Sequence, residues 1–202
     1  MLRKTTLVHA LAHFRQQGNQ LKTSQALALG ISPRTLYTLY EEGQLVQMSR
    51  GLYRLAESQP LAQPDLVTVA TKIPKGVLCL ISALAFHELT TQVPHEIYVA
   101  LPNHAEKPRL AHPPVRFFWL TEPVYQAGIE VYEMDKVPIK IYSLEKTLAD
   151  CFKFRHKIGE EVAVEALQQA FREKRVRVDA LLRYARLDRV ERLLKPYLEV
   201  LL

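Results

Sequence analysis

Leu27-Ala28-Leu29-Gly30-Ile31-Ser32-Pro33-Arg34-Thr35-Leu36-Tyr37-Thr38-Leu39-Tyr40-Glu41-Glu42-Gly43 reads as a helix end, a tight turn, a second helix and its stop. Gly30 closes the first helix. Ser32 followed by Pro33 starts the second, because a serine hydroxyl can take an orphaned backbone N–H and proline presets φ while lacking only an N–H that would go unused. Gly43 is the natural residue just past the end. The spacing predicts a helix over 33–42 with Leu36, Leu39 and Tyr40 on its buried face. Arg34, Thr35, Tyr37, Thr38 and Glu41 lie mostly elsewhere on the circumference.

Upstream, Leu7, Ala10, Leu11 and Phe14 recur at i, i+3, i+4, i+7, which predicts a helix over 6–17 ended by Gly18. Gln20-Leu21-Lys22 reads as an extended link, and Thr23 as the cap of a helix over 24–29. Downstream, residues 44–48 alternate as a strand, Ser49-Arg50-Gly51 turns, and Leu52 to Leu55 returns. Three short helices and a small hairpin, with a tight link before the third helix, is the order of a winged helix-turn-helix.

Glu57 to Pro64 is polar and carries two prolines, which predicts a linker. The expected organisation is a winged helix-turn-helix over 1–56, a linker over 57–64 and a second domain over 65–202. In the second domain the patterns predict a helix over 65–72, a strand over 77–80 and a helix over 83–89 started by Ser82. Strands follow over 96–101, 115–120, 129–134 and 137–142, the last two as a hairpin across Asp135-Lys136. Ser143 caps a helix over 144–154, and the rest is helical, over 160–174, 180–187 and 189–201, with Pro196 a kink or restart. The fold class is therefore α+β: the N-terminal module, then a small sheet flanked by helices with a helical C-terminal tail.

The chain has 202 residues, 48% apolar and 24% charged, a composition that folds rather than stays disordered. Its net charge of +6 is unevenly spread. Residues 1–55 hold seven bases and two acids, residues 56–150 eight bases and eleven acids, and residues 151–202 twelve bases and eight acids. A basic first module suits nucleic acid. No window of about 18 apolar residues predicts a membrane span, and the short, histidine-broken start does not read as a secretory signal. Cys79 and Cys151 stand far apart with no CxxC and read as reduced thiols of a cytoplasmic protein.

Catalytic signatures do not emerge. Glycine-rich phosphate loops and GxSxG are missing from the sequence. His87-Glu88 begins a zinc-protease pattern, but Thr91 stands where the second histidine belongs. His95, His104 and His112 read as loop residues. Glu133, Asp135, Lys136 and Lys140 do not form the acid-x-lysine pair of a metal-dependent nuclease and read as a charged hairpin tip. No catalytic residue, metal ligand or cofactor is assigned.

On the helix-turn-helix reading, residues near the start of the second helix meet base edges. These are Arg34, Thr35 and Thr38, with Tyr37 at the flank. Arginine can bond guanine O6 and N7 together, and threonine can meet a phosphate or a thymine methyl. Arg50 at the wing tip reaches backbone or minor groove, and Lys22 a phosphate. Double-stranded DNA is the expected partner.

The run 27–37, with Gly43-Gln44-Leu45 and Arg50-Gly51-Leu52-Tyr53, resembles the N-terminal winged helix of AbiEi-type antitoxins of type IV toxin–antitoxin and abortive-infection systems. The second half adds Leu80-Ile81-Ser82-Ala83-Leu84-Ala85-Phe86-His87-Glu88-Leu89, Glu96-Ile97-Tyr98-Val99-Ala100-Leu101-Pro102 and Ile139-Lys140-Ile141-Tyr142-Ser143-Leu144-Glu145-Lys146-Thr147-Leu148-Ala149-Asp150, which look like the family's C-terminal domain. The resemblance implies repression of the protein's own operon, a nucleotidyltransferase-like toxin countered without need of a stable complex, and no enzyme activity. It implies no neutralisation site. The basic tail residues Arg172, Lys174, Arg175, Arg177, Arg183, Arg186, Arg189 and Arg192 form a charged surface for DNA backbone, for an acidic partner or for solvent alone. Two other readings stand beside this one: a winged-helix regulator with a ligand-sensing or dimerisation domain, and a DNA-processing nuclease.

Overall fold

The computed structural model describes residues 4–58, 63–92 and 94–201. Of the expected linker, residues 59–62 lie outside the described residues. The chain divides into two compact units, Met1–Thr68 with Met134–Val137, and Val69–Glu133 with Pro138–Leu202.

In the first unit, α1 (Lys4–Gln16), β1 (Gln20–Lys22), α2 (Thr23–Ala28), α3 (Pro33–Glu41), β2 (Leu45–Ser49) and β3 (Leu52–Leu55) follow one another. The stretch expected to be a plain link is strand β1. It lies on the outer side of β3, giving the sheet order β1-β3-β2 with Leu21 opposite Tyr53. Three residues are too few to show a period, so their pairing is set by a partner thirty residues away. Thr23 is the first helical residue of α2 rather than its cap. The Gln25 side chain instead accepts the Lys22 N–H at 2.9 Å, which satisfies the same orphaned end. Phe14, Ala26, Leu36, Leu39 and Leu45 make a closed core beneath these elements.

The second unit is built on a mixed sheet. It contains β4 (Val77–Leu78), β5 (Ile97–Pro102), β6 (Val115–Leu120), β7 (Ile129–Met134) and β8 (Val137–Tyr142), in the order β6-β5-β4-β8-β7. β5 runs antiparallel to β4 and parallel to β6, and β4 runs parallel to β8. Asp135 and Lys136, both at positive φ, make the two-residue turn between β7 and β8. The helices are α4 (Pro64–Lys72), which begins before the boundary between the units, then α5 (Leu80–Phe86), the short α6 (Glu122–Gln126), α7 (Leu144–Lys153), α8 (Arg155–Ile158), α9 (Glu160–Arg172), α10 (Val178–Leu187) and α11 (Glu191–Leu201). The architecture is α+β with a helical C-terminal end.

Helix α5 starts at Leu80, two residues before Ser82, with Cys79 at its cap position. Ser82 lies inside it and its Oγ accepts the Tyr98 N–H at 2.9 Å, tying helix to sheet. Ser143 does cap α7, taking the Lys146 N–H. One core gathers Val77, Tyr98, Phe118 and Tyr142 from the sheet, Leu84, Leu148 and Phe152 from α5 and α7, and Leu167, Leu181 and Leu194 from the tail helices. The tail is therefore part of the folded unit and not an appendage. Among the described residues no helix is long and apolar enough to cross a membrane.

Candidate nucleic-acid interface

The start of α3 is fixed by chemistry confined to four residues. Ser32 sits in extended conformation, its Oγ accepts the Thr35 N–H at 3.1 Å, and Pro33 occupies the first helical position. Gly30, at φ +80°, makes the turn between α2 and α3 without a Cβ penalty. Helical geometry then sorts the side chains. Thr35, Leu36 and Leu39 point inward and are buried. Arg34, Tyr37, Thr38 and Glu41, at i, i+3, i+4, i+7, share the opposite face, with all but half-buried Thr38 exposed.

Thr35 is the expected contact residue that the structure removes. It is 1% exposed, and its Oγ1 lies 2.9 Å from Ser32 Oγ, so the hydroxyl is spent on the helix cap. Tyr40, expected in the core, is half out, packed edge-on against Tyr53 with ring centroids 6.3 Å apart. The two errors have one cause. The apolar stripe is turned by one residue from the one read off the sequence, because a capped threonine costs little to bury and a tyrosine hydroxyl prefers water.

Thr38 Oγ1 donates to the Arg34 carbonyl at 2.9 Å. Tyr37 is 60% exposed, and the Glu41 carboxylate one turn on holds its phenol above its ordinary pKa. Arg34 makes no ion pair among the described residues. Glu42 turns away and accepts Gln44 Nε2 at 3.3 Å.

Arg50 is exposed at the tip of the β2–β3 hairpin, followed by Gly51 at φ +70°. A register shift between Gln47 and Ser49 twists the hairpin near that tip. The Gly51 carbonyl accepts the Thr23 N–H at 3.0 Å, which anchors the wing to the start of α2. Lys22 lies at that same junction, half-buried, and burial lowers its pKa. Lys22 and Arg50 thus flank one backbone hydrogen bond, while Arg34 lies on a separate element.

Residues 10–56 match the family described as transcriptional regulator, AbiEi antitoxin. The matched stretch lies within the first unit. The match begins inside α1 and ends one residue past β3, so it takes in the helix-turn-helix and the wing. No curated protein matches the chain.

Outside the matched stretch, the most chemically loaded place is in the second unit. Lys146 Nζ contacts Asp150 Oδ1 and lies 3.3 Å from Asp188 Oδ2, and Lys153 Nζ lies 2.9 Å from Asp188 Oδ1. Lys146, Asp150 and Asp188 are closed to solvent; only Lys153 reaches it. Asp150 Oδ2 accepts no hydrogen bond. Burial, with the Asp188 charge adding, pushes the Asp150 carboxyl up to about 7 against the pull of Lys146. Lys146 itself stays charged, its two carboxylate neighbours outweighing its burial. Its ammonium also lies 4.8 Å from the centre of the Tyr142 ring. Sealed in this way, the cluster binds α7 to the end of α10. Buried Glu145 does similar work toward exposed Arg177, accepting its backbone N–H at 3.2 Å and its Nε–H at 3.1 Å. Glu145, Lys146 and Asp150 thus join α7 to the two ends of α10.

The remaining candidates separate in the same manner. His87 is buried, its Nε2 is 2.8 Å from the Tyr142 carbonyl, and burial lowers its pKa. His95, His104 and His112 are exposed. Among the described residues no group of three or more His, Cys, Asp or Glu side chains is placed to hold a metal ion. An open cleft of about 550 Å³ is lined by Ile81, His95, Glu96, Tyr98 and Pro114, with neither cysteine nor Lys146 on its wall. The tail residues Arg172, Lys174, Arg175, Arg177, Arg183, Arg186, Arg189 and Arg192 are all exposed. Arg175, Arg177 and Arg186 pair with Glu173, Glu145 and Glu191 at 3.0, 3.1 and 3.2 Å, so part of the basic surface is already neutralised.

Proposed function

We propose that the protein is a cytoplasmic antitoxin that represses its own operon. The first unit binds promoter duplex DNA through the outward face of α3, with Arg34 toward guanine and Tyr37 and Thr38 beside it. Arg50 on the wing and Lys22 at the start of α2 take phosphates. The observation that carries the reading is α3 itself: its cap and apolar side face inward, and its basic and polar side chains are left outward on a domain that matches antitoxin regulators. The second unit counters a nucleotidyltransferase-like toxin without need of a stable complex and without catalysis. The burial of Lys146, Asp150 and Asp188 supports a non-enzymatic role, since the strongest acid–base group in that unit has no access. The exposed tail bases Arg172, Lys174, Arg183, Arg189 and Arg192, without an ion pair among the described residues, offer a surface to DNA backbone or an acidic partner.

A gel shift on the DNA upstream of the gene tests the first part. Arg34→Ala with Arg50→Ala is expected to weaken binding at least tenfold and to lower the salt slope by about one. Unchanged affinity would overturn it. Co-expression with the adjacent reading frame tests the second part: relief of that frame's growth arrest is expected, and failure to relieve it would remove the antitoxin role.

A further inference from the structure

Strand β6 ends the five-stranded sheet, with β5 on one side only. Its residues Val115 to Leu120 pair in unbroken register with Ile97 to Pro102. Pro114 and Leu120 offer their carbonyls to the Ile97 and Asn103 N–H groups. Successive residues of a strand turn their backbone groups to opposite sides, so Arg116 and Phe118 also face β5. Val115, Phe117 and Trp119 therefore turn N–H and C=O away from the sheet. Among the described residues these outward groups meet no hydrogen-bond partner.

Sheet ends are guarded by charge, proline or a bulge against pairing with another chain. The opposite end, β7, carries exposed Glu130 and Glu133. β6 has neither proline nor bulge, and Arg116 is its one charge. Arg116 lies on the face shared with Tyr98 and Phe118 and pairs with Glu96 at 3.5 Å. The other face presents Phe117 and Trp119, with ring centroids 6.0 Å apart. Trp119 is 41% exposed, and its Nε1 donates to the Ala105 carbonyl at 2.9 Å.

The occupant follows from register. Antiparallel pairing satisfies the outward groups only where they stand opposite outward groups. A second β6, related by a two-fold axis at Phe117, sets Val115 against Trp119 and Phe117 against Phe117, and uses every one of them. Arg116 then stands opposite Phe118 of the other copy, the ring type its guanidinium already lies 5.8 Å from within one chain. Slipping the pairing by two residues one way sets Arg116 against Arg116, and Trp119 against Pro113, which has no N–H. The opposite slip carries Val115 past the end of the partner strand.

We propose that β6 is a dimer seam, at which two copies of this chain join their sheets by antiparallel pairing centred on Phe117. The inference does not depend on DNA or toxin binding.

Sedimentation equilibrium of the full chain over rising concentration tests it, together with cysteine cross-linking under mild oxidation. In the proposed register the two copies of residue 117 have Cα atoms about 5.5 Å apart, within the span of a disulfide, and the two copies of residue 119 lie about 13 Å apart along the strands. Cys79 and Cys151 are buried and stay out of the reaction. The wild type is expected to approach twice the 23.2 kDa mass of one chain. Phe117→Cys should give a cross-linked dimer, and Trp119→Cys none. Trp119→Lys should weaken self-association by about tenfold or more. A wild type that stays a single chain at every concentration would overturn the proposal. So would a dimer that survives Trp119→Lys unchanged and does not cross-link through Phe117→Cys, which would place the seam elsewhere. A chain that is monomeric alone, but loses binding to the product of the adjacent reading frame on Trp119→Lys, would overturn self-pairing and give the edge to that partner.

Discussion

Lys146 Nζ lies 3.3 Å from Asp188 Oδ2, across 42 residues of sequence, with neither side chain touched by solvent. Removing the cation strands two buried carboxylates, which costs far more than the pair contributes when whole. Lys146→Met is expected to lower the stability of the second unit by about 3–5 kcal/mol, read as a shifted urea midpoint. A change below about 1 kcal/mol would mean that water reaches the cluster.

The same cluster sets a pH dependence. The Asp150 carboxyl is raised from 3.8 to about 7 in the folded chain, chiefly by burial, so folding takes up a proton between those values. Stability from this group is full below the unfolded value and falls as pH rises toward 7, by at most about 1.4 kcal/mol per pH unit. His87, whose pKa burial lowers, slopes the other way near and below pH 6.5. The difference between wild type and Asp150→Asn isolates the carboxyl. Denaturation from pH 5 to 8 should show a falling wild-type contribution and none in the variant.

Thr35 and Arg34 are neighbours with opposite duties. Thr35→Val removes the hydroxyl that closes the cap with Ser32, and should cost about 1 kcal/mol of stability with little change in duplex affinity. Arg34→Ala should do the reverse. Thermal melts and gel shifts on both variants check the split, and equal affinity losses would mean that the two are not separated by the helix face.

Gly128 sits at φ +73°, where an added Cβ would come 2.8 Å from the Lys146 Cβ. Its carbonyl also accepts the Ser143 N–H at 2.7 Å, so the backbone cannot move aside freely. Gly128→Ala should destabilise by about 2–3 kcal/mol, measured by denaturant unfolding.

Local signals carried most of the fold. Ser32-Pro33, Gly43, the Asp135-Lys136 turn and Ser143 each act within a few residues, and each stands where the sequence predicts it. What escaped was set at a distance or by short elements. β1 and α6 are too short for periodicity, and the start of α5 depends on sheet contacts. For the candidate interface, period 3.6 places Arg34, Tyr37, Thr38 and Glu41 outward, but no spacing reveals that the Thr35 hydroxyl is spent on Ser32. Lys146 and Asp150 are visible as an i, i+4 pair. Their burial is not, because Asp188, which completes the cluster, comes 38 residues after Asp150.

Cys79 and Cys151 are both sealed in the second unit, with thiols pushed well up by burial, and the first unit has no cysteine. A thiol in that state reacts with an alkylating reagent only when the surrounding structure opens. The chain therefore carries its own clock. The rate at which these sulfurs are labelled under native conditions reports how often the C-terminal core breathes, with DNA, toxin or neither present. Because both cysteines lie in the second unit, the label is read there alone.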